Sequence, residues 1–154
     1  MRIYFLRHGE ADWPDWQGPD DERPLTKKGK KELKRVAEFL AGHEIEPDII
    51  LSSPLPRAAQ TAEIVADELD LEVTSEPALA PGFDSTQLAE LLKQAAGQDV
   101  MLVGHEPGLS EAVSTLTGAQ IKLSKAGLVR VDLDDPNQLH GQLIWLLSPK
   151  LMKE

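Results

Sequence analysis

Apolar and polar positions along the chain follow two different periods, and the two periods alternate. Short, continuous apolar runs are typical of buried strands, whereas apolar residues three and four positions apart indicate one face of a helix. Because the two patterns take turns from the first residues onwards, they predict an α/β domain, a three-layer αβα sandwich with a largely parallel central sheet. The predicted strands cover residues 2–6, 47–53, 71–75, 99–104, 126–133 and 141–147.

Four helices are predicted between these strands. The first runs from Thr26, which is a suitable N-cap, to residue 41, and Gly42 is expected to end it. Pro107 is expected at the first position of the last helix, where a missing N–H leaves no hydrogen bond unmade. The helices cover residues 26–41, 56–70, 86–97 and 107–118.

Composition narrows the class of protein. The chain has 154 residues, of which 41% are hydrophobic and 27% charged, and this fits a single globular domain over residues 1–154. Cysteine is absent, which excludes disulfides, thiolate metal sites and cysteine nucleophiles. Since no run approaches a membrane-spanning length and the N-terminus leads directly into a strand, we expect a cytoplasmic protein.

The net charge of −10 argues against binding to nucleic acid or to an anionic membrane. An anionic ligand would need a local positive pocket, and parallel sheets bind ligands at the carboxyl ends of their strands. Two arginines and two histidines stand at such ends, so the sequence predicts a phosphate site there. The residues at the predicted strand ends are Arg7, His8, Gly9, Glu10, Ser52, Ser53, Arg57, Gly104, His105 and Glu106.

The residue types at these strand ends suit phosphoryl transfer. Arginine is always charged and pairs with two phosphate oxygens at once, while a neutral histidine is a nucleophile. Gly9 is expected to permit an unusual backbone angle directly after His8. A helix that starts at Pro107 would direct its positive end at the bound anion.

The chain contains, in this order, the segments LRHGEADW, RPLTKKG, SSPLPRAAQTAE and VGHEP. These segments resemble the motifs of the histidine phosphatase superfamily, which has the phosphoglycerate-mutase-like fold. The short length and the motif spacing are most similar to those of the SixA-type phosphohistidine phosphatases. The motifs run from Leu6 to Pro107, and the order of strands and helices fits over the whole chain.

The resemblance implies a phosphatase that uses no metal and no cofactor. His8 would attack phosphorus and carry a phosphohistidine intermediate, which water then hydrolyses. Arg7, Arg57 and His105 would hold the phosphoryl oxygens. Other residues expected at the substrate are Gly9, Glu10, Arg23, Ser53 and Glu106.

The chain departs from the wider superfamily at two positions. Pro14 stands where many members carry an asparagine, and Pro81 stands where many carry a glutamate as general acid. An alkoxide leaving group benefits from such an acid, whereas a protonated phosphoimidazole departs as a neutral ring. The departure therefore favours phosphohistidine in a protein as the substrate, with Glu106 and Asp84 as the remaining candidates for a proton donor.

Two alternatives remain open from the sequence. The chain could be a phosphatase of small phosphomonoesters, or a module that binds phosphorylated partners without turnover. Retention of His8 with both arginines favours catalysis, since a pure binder does not need the nucleophile. Trp13 and Trp16 either shape a substrate lip or cover the edge of the sheet.

Overall fold

The computed structural model describes residues 1–152, and the last two residues of the predicted 1–154 domain lie outside them. Strands and helices alternate from the N-terminus, as the periodicity predicts. The strands are β1 (Arg2–Arg7), β2 (Ile49–Ser52), β3 (Val73–Ser75), β4 (Val100–Gly104), β5 (Leu128–Leu133) and β6 (Gly141–Leu147). The α-helices are α1 (Lys27–Gly42), α2 (Pro56–Leu69), α3 (Ser85–Gln94) and α4 (Gly108–Thr117).

The six strands form one mixed sheet in the order β3-β2-β4-β1-β5-β6. The first four strands of that order run parallel to one another, while β5 is antiparallel to both of its neighbours. The parallel strands β1 and β4 lie side by side at the centre. Their carboxyl ends therefore meet, with Arg7 opposite Gly104 in the register.

Helices cover both faces of the sheet, which confirms the three-layer αβα prediction. Helices α1 and α2 bury their apolar faces on one side, where Leu33 and Val65 are fully buried. Helices α3 and α4 cover the other side, where Leu88 and Val113 are fully buried. No helix within residues 1–152 is long and apolar enough to cross a membrane.

The helix ends differ from the predictions by one residue in α1, α2 and α4, whereas α3 covers Ser85–Gln94 in place of 86–97, because Ala95 is already its C-cap. Thr26 is the N-cap of α1, and its hydroxyl accepts the N–H of Gly29 at 3.1 Å. Gly42 is the last residue of α1, and His43 follows as the C-cap. Pro107 is the N-cap of α4 and not its first residue, because a ψ angle of 1° takes it out of the helical range.

Candidate active site

The ends of β1 and β4 bring two histidines together. The N–H of His8 donates to the carbonyl of Gly104 at 3.1 Å, so the first residue after β1 stays in register with β4. His105 follows Gly104 directly, and the His8 and His105 rings lie with their centroids 5.1 Å apart. The pairing of the two central strands therefore places both rings in one site.

Of the two ring nitrogens of His8, Nδ1 makes a hydrogen bond, and Nε2 makes none to residues 1–152. Its Nδ1 lies 2.7 Å from the carbonyl oxygen of Gly9. A carbonyl can only accept, so Nδ1 carries the proton of the neutral ring and Nε2 keeps its lone pair. Burial lowers the pKa of His8 to about 4 against the effect of the Gly9 hydrogen bond, and Arg57, Arg7 and Arg23 lower it further. At neutral pH, the His8 ring is therefore neutral, with a lone pair on Nε2.

His105 is almost entirely buried, with 6% of its surface exposed. Its Nε2 lies 2.7 Å from the hydroxyl oxygen of Ser53, while its buried Nδ1 has no hydrogen-bond partner among residues 1–152. Burial lowers the pKa of His105 to about 3, and the neighbouring His8, Arg57 and Arg7 act in the same direction. A second neutral imidazole thus lies beside His8.

Arg7 and Arg57 supply the positive charge of the site. Nη1 of Arg7 donates to the carbonyl of Leu123 at 2.9 Å, and its buried Nε has no hydrogen-bond partner in the part of the chain that the structure describes. Arg57 is the second residue of α2 and is 6% exposed, with Nη1 donating to the backbone carbonyl of Asp20 at 3.1 Å. Burial and Arg23 lower the pKa of Arg57, as expected for a crowded group of cations.

Arg23 lies in the loop before α1 and belongs to the same group of cations as Arg7 and Arg57. Its Nη1 donates to the carbonyl of Ala11 at 2.6 Å, and its Nε donates to Asp20 at 2.9 Å. Arg23 lowers the pKa of both His8 and Arg57, which places its charge next to the site. The structure therefore brings Arg23 together with the four residues predicted to be catalytic.

The loop that carries Arg23 also holds the two tryptophans. The indole N–H of Trp13 donates to the backbone carbonyl of Pro24 at 2.9 Å, and the indole N–H of Trp16 donates to the backbone carbonyl of Pro19 at 3.0 Å. Both rings remain at least 37% exposed. Their hydrogen bonds therefore stabilise this loop at the surface, and the two rings do not form a buried cover over the edge of the sheet.

Gly9 does not have the unusual backbone angle that was expected, so that prediction was wrong. Among the glycines of residues 1–152, a positive φ occurs at Gly82, Gly97 and Gly118 and not at Gly9. A Cβ on Gly9 would lie 2.3 Å from Cδ2 of Leu33, in α1. The loop after His8 therefore packs directly on α1, and a side chain at this position would force the buried Leu33 side chain to move.

The carboxylates predicted to contact substrate or to donate a proton accept hydrogen bonds at the starts of helices. Glu10 accepts from the Thr26 hydroxyl at the start of α1, and Glu106 accepts the N–H of Ser110 at 2.9 Å in α4. Asp84 accepts the N–H of Gln87 at 2.9 Å in the capping box of α3. None of the three is among the charges that shift the pKa of His8 or His105.

Thr61 was missed by the sequence analysis. It is fully buried in α2, where its hydroxyl donates to the carbonyl of Arg57 at 2.8 Å and accepts the N–H of Gly9 at 3.1 Å. One side chain thus joins the loop after the nucleophile to the start of α2. The signal was its place one turn after Arg57 on the same helix.

Together these groups form a cluster suited to a phosphoryl group. Arg7, Arg23 and Arg57 supply positive charge, and the neutral rings of His8 and His105 lie among them. Phosphoryl transfer depends mainly on such positioning and charge neutralisation. Within residues 1–152, no three His, Asp or Glu side chains are grouped as metal ligands would be.

Comparisons with known proteins agree with this chemistry. Residues 3–80 match the family model of the histidine phosphatase superfamily (branch 1). The chain is 30% identical to the phosphohistidine phosphatase SixA of Escherichia coli, over 99% of this chain and 97% of SixA. It is 40% identical to an uncharacterized protein of Picosynechococcus sp., over 97% and 98% of the two chains.

Solved structures give the same result for the fold. The structure of the protein histidine phosphatase SixA complexed with tungstate is 31% identical, with a TM-score of 0.89 over 99% of this chain and all of that one. The crystal structure of the "putative phosphohistidine phosphatase SixA" from Agrobacterium tumefaciens is 27% identical, with a TM-score of 0.83 over 96% and 98% of the two chains. The similarity therefore extends over the whole sheet and both helical layers.

Proposed function

The chain belongs to the histidine phosphatase superfamily, branch 1, and on this premise we propose that it hydrolyses phosphohistidine in a protein through a phosphorylated His8. The family and its SixA relative support a phosphatase. The single observation that carries the chemistry is the state of His8. Its Nδ1 proton is held by the Gly9 carbonyl, so the Nε2 lone pair is free among cationic side chains.

The first step transfers the phosphoryl group between two imidazoles. Nε2 of His8 forms a bond to phosphorus while the phosphorus–nitrogen bond of the substrate breaks. The substrate ring, protonated on its other nitrogen, leaves as a neutral imidazole, and His8 becomes the phosphorylated ring with its Nδ1–H intact. No net proton transfer is needed, so a site without a general acid at Pro81 can perform this step.

The second step returns the enzyme to its starting state. Water attacks phosphorus, the bond between phosphorus and Nε2 of His8 breaks, and both protons of the water leave with the released phosphate, as dihydrogen phosphate. His8 leaves as the neutral ring with which it began. Arg7 and Arg57 are the residues proposed to stabilise charge on the phosphoryl oxygens in both steps.

The positions of the carboxylates support phosphohistidine as the proposed substrate class. An alkoxide leaving group would need a proton, but Glu106 and Asp84 are engaged at the starts of α4 and α3. A phosphohistidine leaving group has no such need. The name of the SixA relative, a phosphohistidine phosphatase, supports the same class. The proposal includes the cytoplasmic location expected from the sequence, and it requires no metal or cofactor.

The test is phosphate release in chelator from a phosphohistidine-bearing protein and from an aryl phosphate. We expect the wild type to prefer phosphohistidine and His8→Ala to be inactive on both substrates. His43→Ala is the matched control, because His43 packs on Phe39 at the end of α1, with centroids 4.2 Å apart. It should keep wild-type activity.

Other results would select one of the alternatives. Equal turnover of the aryl phosphate would favour a phosphatase of small phosphomonoesters. If the wild type binds phosphohistidine protein but releases no phosphate, a non-catalytic binding module is the better description. Activity that survives in His8→Ala would overturn the role of His8.

A further inference from the structure

The hydroxyl of Ser53 is buried between two nitrogen atoms. Ser53 follows β2 and is 1% exposed, so solvent does not reach its side chain. Its Oγ lies 3.2 Å from the backbone nitrogen of Leu55 and 2.7 Å from Nε2 of His105. These are the hydrogen-bond contacts of this hydroxyl among residues 1–152.

The two contacts determine where the proton of the hydroxyl goes. The backbone N–H of Leu55 can only donate, so it donates to Ser53. Ser53 must place its own proton on an acceptor, and Nε2 of His105 is the acceptor within reach. Nε2 therefore carries a lone pair, and the proton of the neutral His105 ring is on Nδ1.

The opposite tautomer would leave two groups unmatched. If Nε2 carried the proton, the Ser53 hydroxyl would have two donors and a buried proton without an acceptor. The unpartnered Nδ1 of His105 would then present a lone pair to the oxygens of a bound phosphoryl group. Since His105 stays neutral, with its pKa lowered to about 3, the tautomer decides whether the ring attracts or repels that oxygen.

We propose that Ser53 is a positioning residue whose hydroxyl holds His105 as the Nδ1–H tautomer, so that His105 binds a phosphoryl oxygen as a neutral donor. This inference rests on the proposed function for its substrate. It gives Ser53 a role through His105 and not through direct contact with the substrate. It also explains why a nearly fully buried histidine has one nitrogen unpaired in the free protein.

The tautomer can be measured without any catalysis, by NMR of the ring nitrogens in protein carrying isotope-labelled histidine. At neutral pH we expect His105 to be protonated on Nδ1 in the wild type and to shift towards the Nε2–H form in Ser53→Ala. Ser52→Ala is the matched control: Ser52 is equally buried, and its hydroxyl donates to the Ser53 carbonyl at 2.9 Å and not to the His105 ring. It should keep the wild-type tautomer.

A second measurement follows the consequence for an anion. Tungstate, which is bound in the similar SixA structure, serves as the probe for calorimetry. We expect Ser53→Ala to weaken tungstate binding by about tenfold, the effect of one lost hydrogen bond to an anion, and Ser52→Ala to change it by less than about twofold. Equal weakening in both variants would indicate a general packing effect and overturn the proposal.

The outcomes separate this inference from the proposed function. A wild-type His105 protonated on Nε2, or a tautomer unchanged in Ser53→Ala, overturns the role of Ser53 even if the protein is an active phosphatase. Conversely, the expected tautomer and tungstate results would support Ser53 at an oxyanion site even if phosphohistidine is not hydrolysed.

Discussion

At the scale of single residues, the side chain of Thr61 joins two parts of the site. Its hydroxyl accepts the backbone N–H of Gly9, the residue after His8. The same hydroxyl donates to the backbone carbonyl of Arg57, one turn earlier in α2. The position of the His8 loop is therefore coupled to the position of an arginine from another element. A change of this one hydroxyl should disturb nucleophile and cation together.

Thr61→Val tests that coupling, because valine keeps the shape and removes the hydroxyl. The buried N–H of Gly9 would lose its acceptor, so we expect a loss of about 1–3 kcal/mol in the free energy of unfolding. Since the His8 loop would also shift relative to Arg57, we expect kcat/KM to fall by about tenfold. Urea unfolding and phosphate release measure the two effects.

Thr117→Val is the matched control for this prediction. In α4, the Thr117 hydroxyl also donates to a carbonyl four residues earlier, at 2.8 Å, and accepts an N–H, that of Ala119, at 3.2 Å. It should lose stability but keep kcat/KM. Equal losses of activity in the two variants would show that Thr61 acts only through stability.

The main residues of the site were predictable, but their supporting hydrogen bonds were not. Arg7, His8 and His105 stand at the ends of strands, and the rule that parallel strands end at one edge brings them together. The bonds of Ser53 and Thr61 depend on rotamers and on distances between elements, to a few tenths of an ångström. A sequence records neither of these quantities.

Gly9 shows a related limit of prediction from the sequence. A glycine after His8 is compatible either with an unusual backbone angle or with a close contact to another element, and the sequence alone does not distinguish the two. The structure supports the close contact, because α1 passes within reach of a Cβ at this position. The choice between the two reasons depended on how α1 packs, which local pattern does not give.

At the scale of elements, the start of α1 has an unfavourable charge distribution. Lys27 and Lys28 lie in its first turn, and that turn contains no acidic residue. The positive end of the helix dipole and the two cations repel each other. All the lysines of this helix are exposed, so water solvates their charges. Burial of the apolar face, whose helical spacing is visible in the sequence, holds α1 in place despite this repulsion.

Lys27→Glu should therefore stabilise the protein. A carboxylate at this position would complement the helix dipole and lie four residues before Lys31, the favourable orientation for a pair. We expect a gain of about 0.3–1 kcal/mol in the free energy of unfolding at low salt, reduced at high salt. Urea unfolding at two salt concentrations measures it.

The control for the helix effect is Lys122→Glu. Lys122 is exposed and lies outside any helix or strand, so it receives the same change in net charge without the dipole. Because the chain already carries −10, this variant should be neutral or slightly destabilised. A gain of equal size in both variants would show that the stabilisation does not come from the start of α1.

At the scale of the whole molecule, a strongly acidic protein encloses a positive pocket. The net charge is −10, yet the charges that shift the pKa of His8 are all arginines. Burial of those arginines and of two imidazoles is unfavourable for any further positive charge in the pocket. The fold therefore keeps His8 and His105 neutral under conditions in which a free histidine is partly protonated.

This burial links the stability of the fold to pH. In the unfolded chain both histidines return to a pKa of 6.5, whereas in the folded protein the pKa is about 4 for His8 and about 3 for His105. Between pH 6.5 and about 4, the unfolded chain therefore binds protons that the folded protein does not. The free energy of unfolding is unaffected by these groups above pH 6.5 and falls as the pH drops through this window.

Urea unfolding of the wild type and of His8→Gln with His105→Gln, across the same pH window, tests this link. Carboxylates titrate in both proteins, so the difference between the two curves isolates the histidines. We expect the wild type to lose stability more steeply than the double variant below pH 6.5, and the difference to be constant above it. Parallel curves over the whole window would mean that the two rings are protonated as easily in the folded protein as in the unfolded chain, which would contradict a neutral nucleophile held by burial.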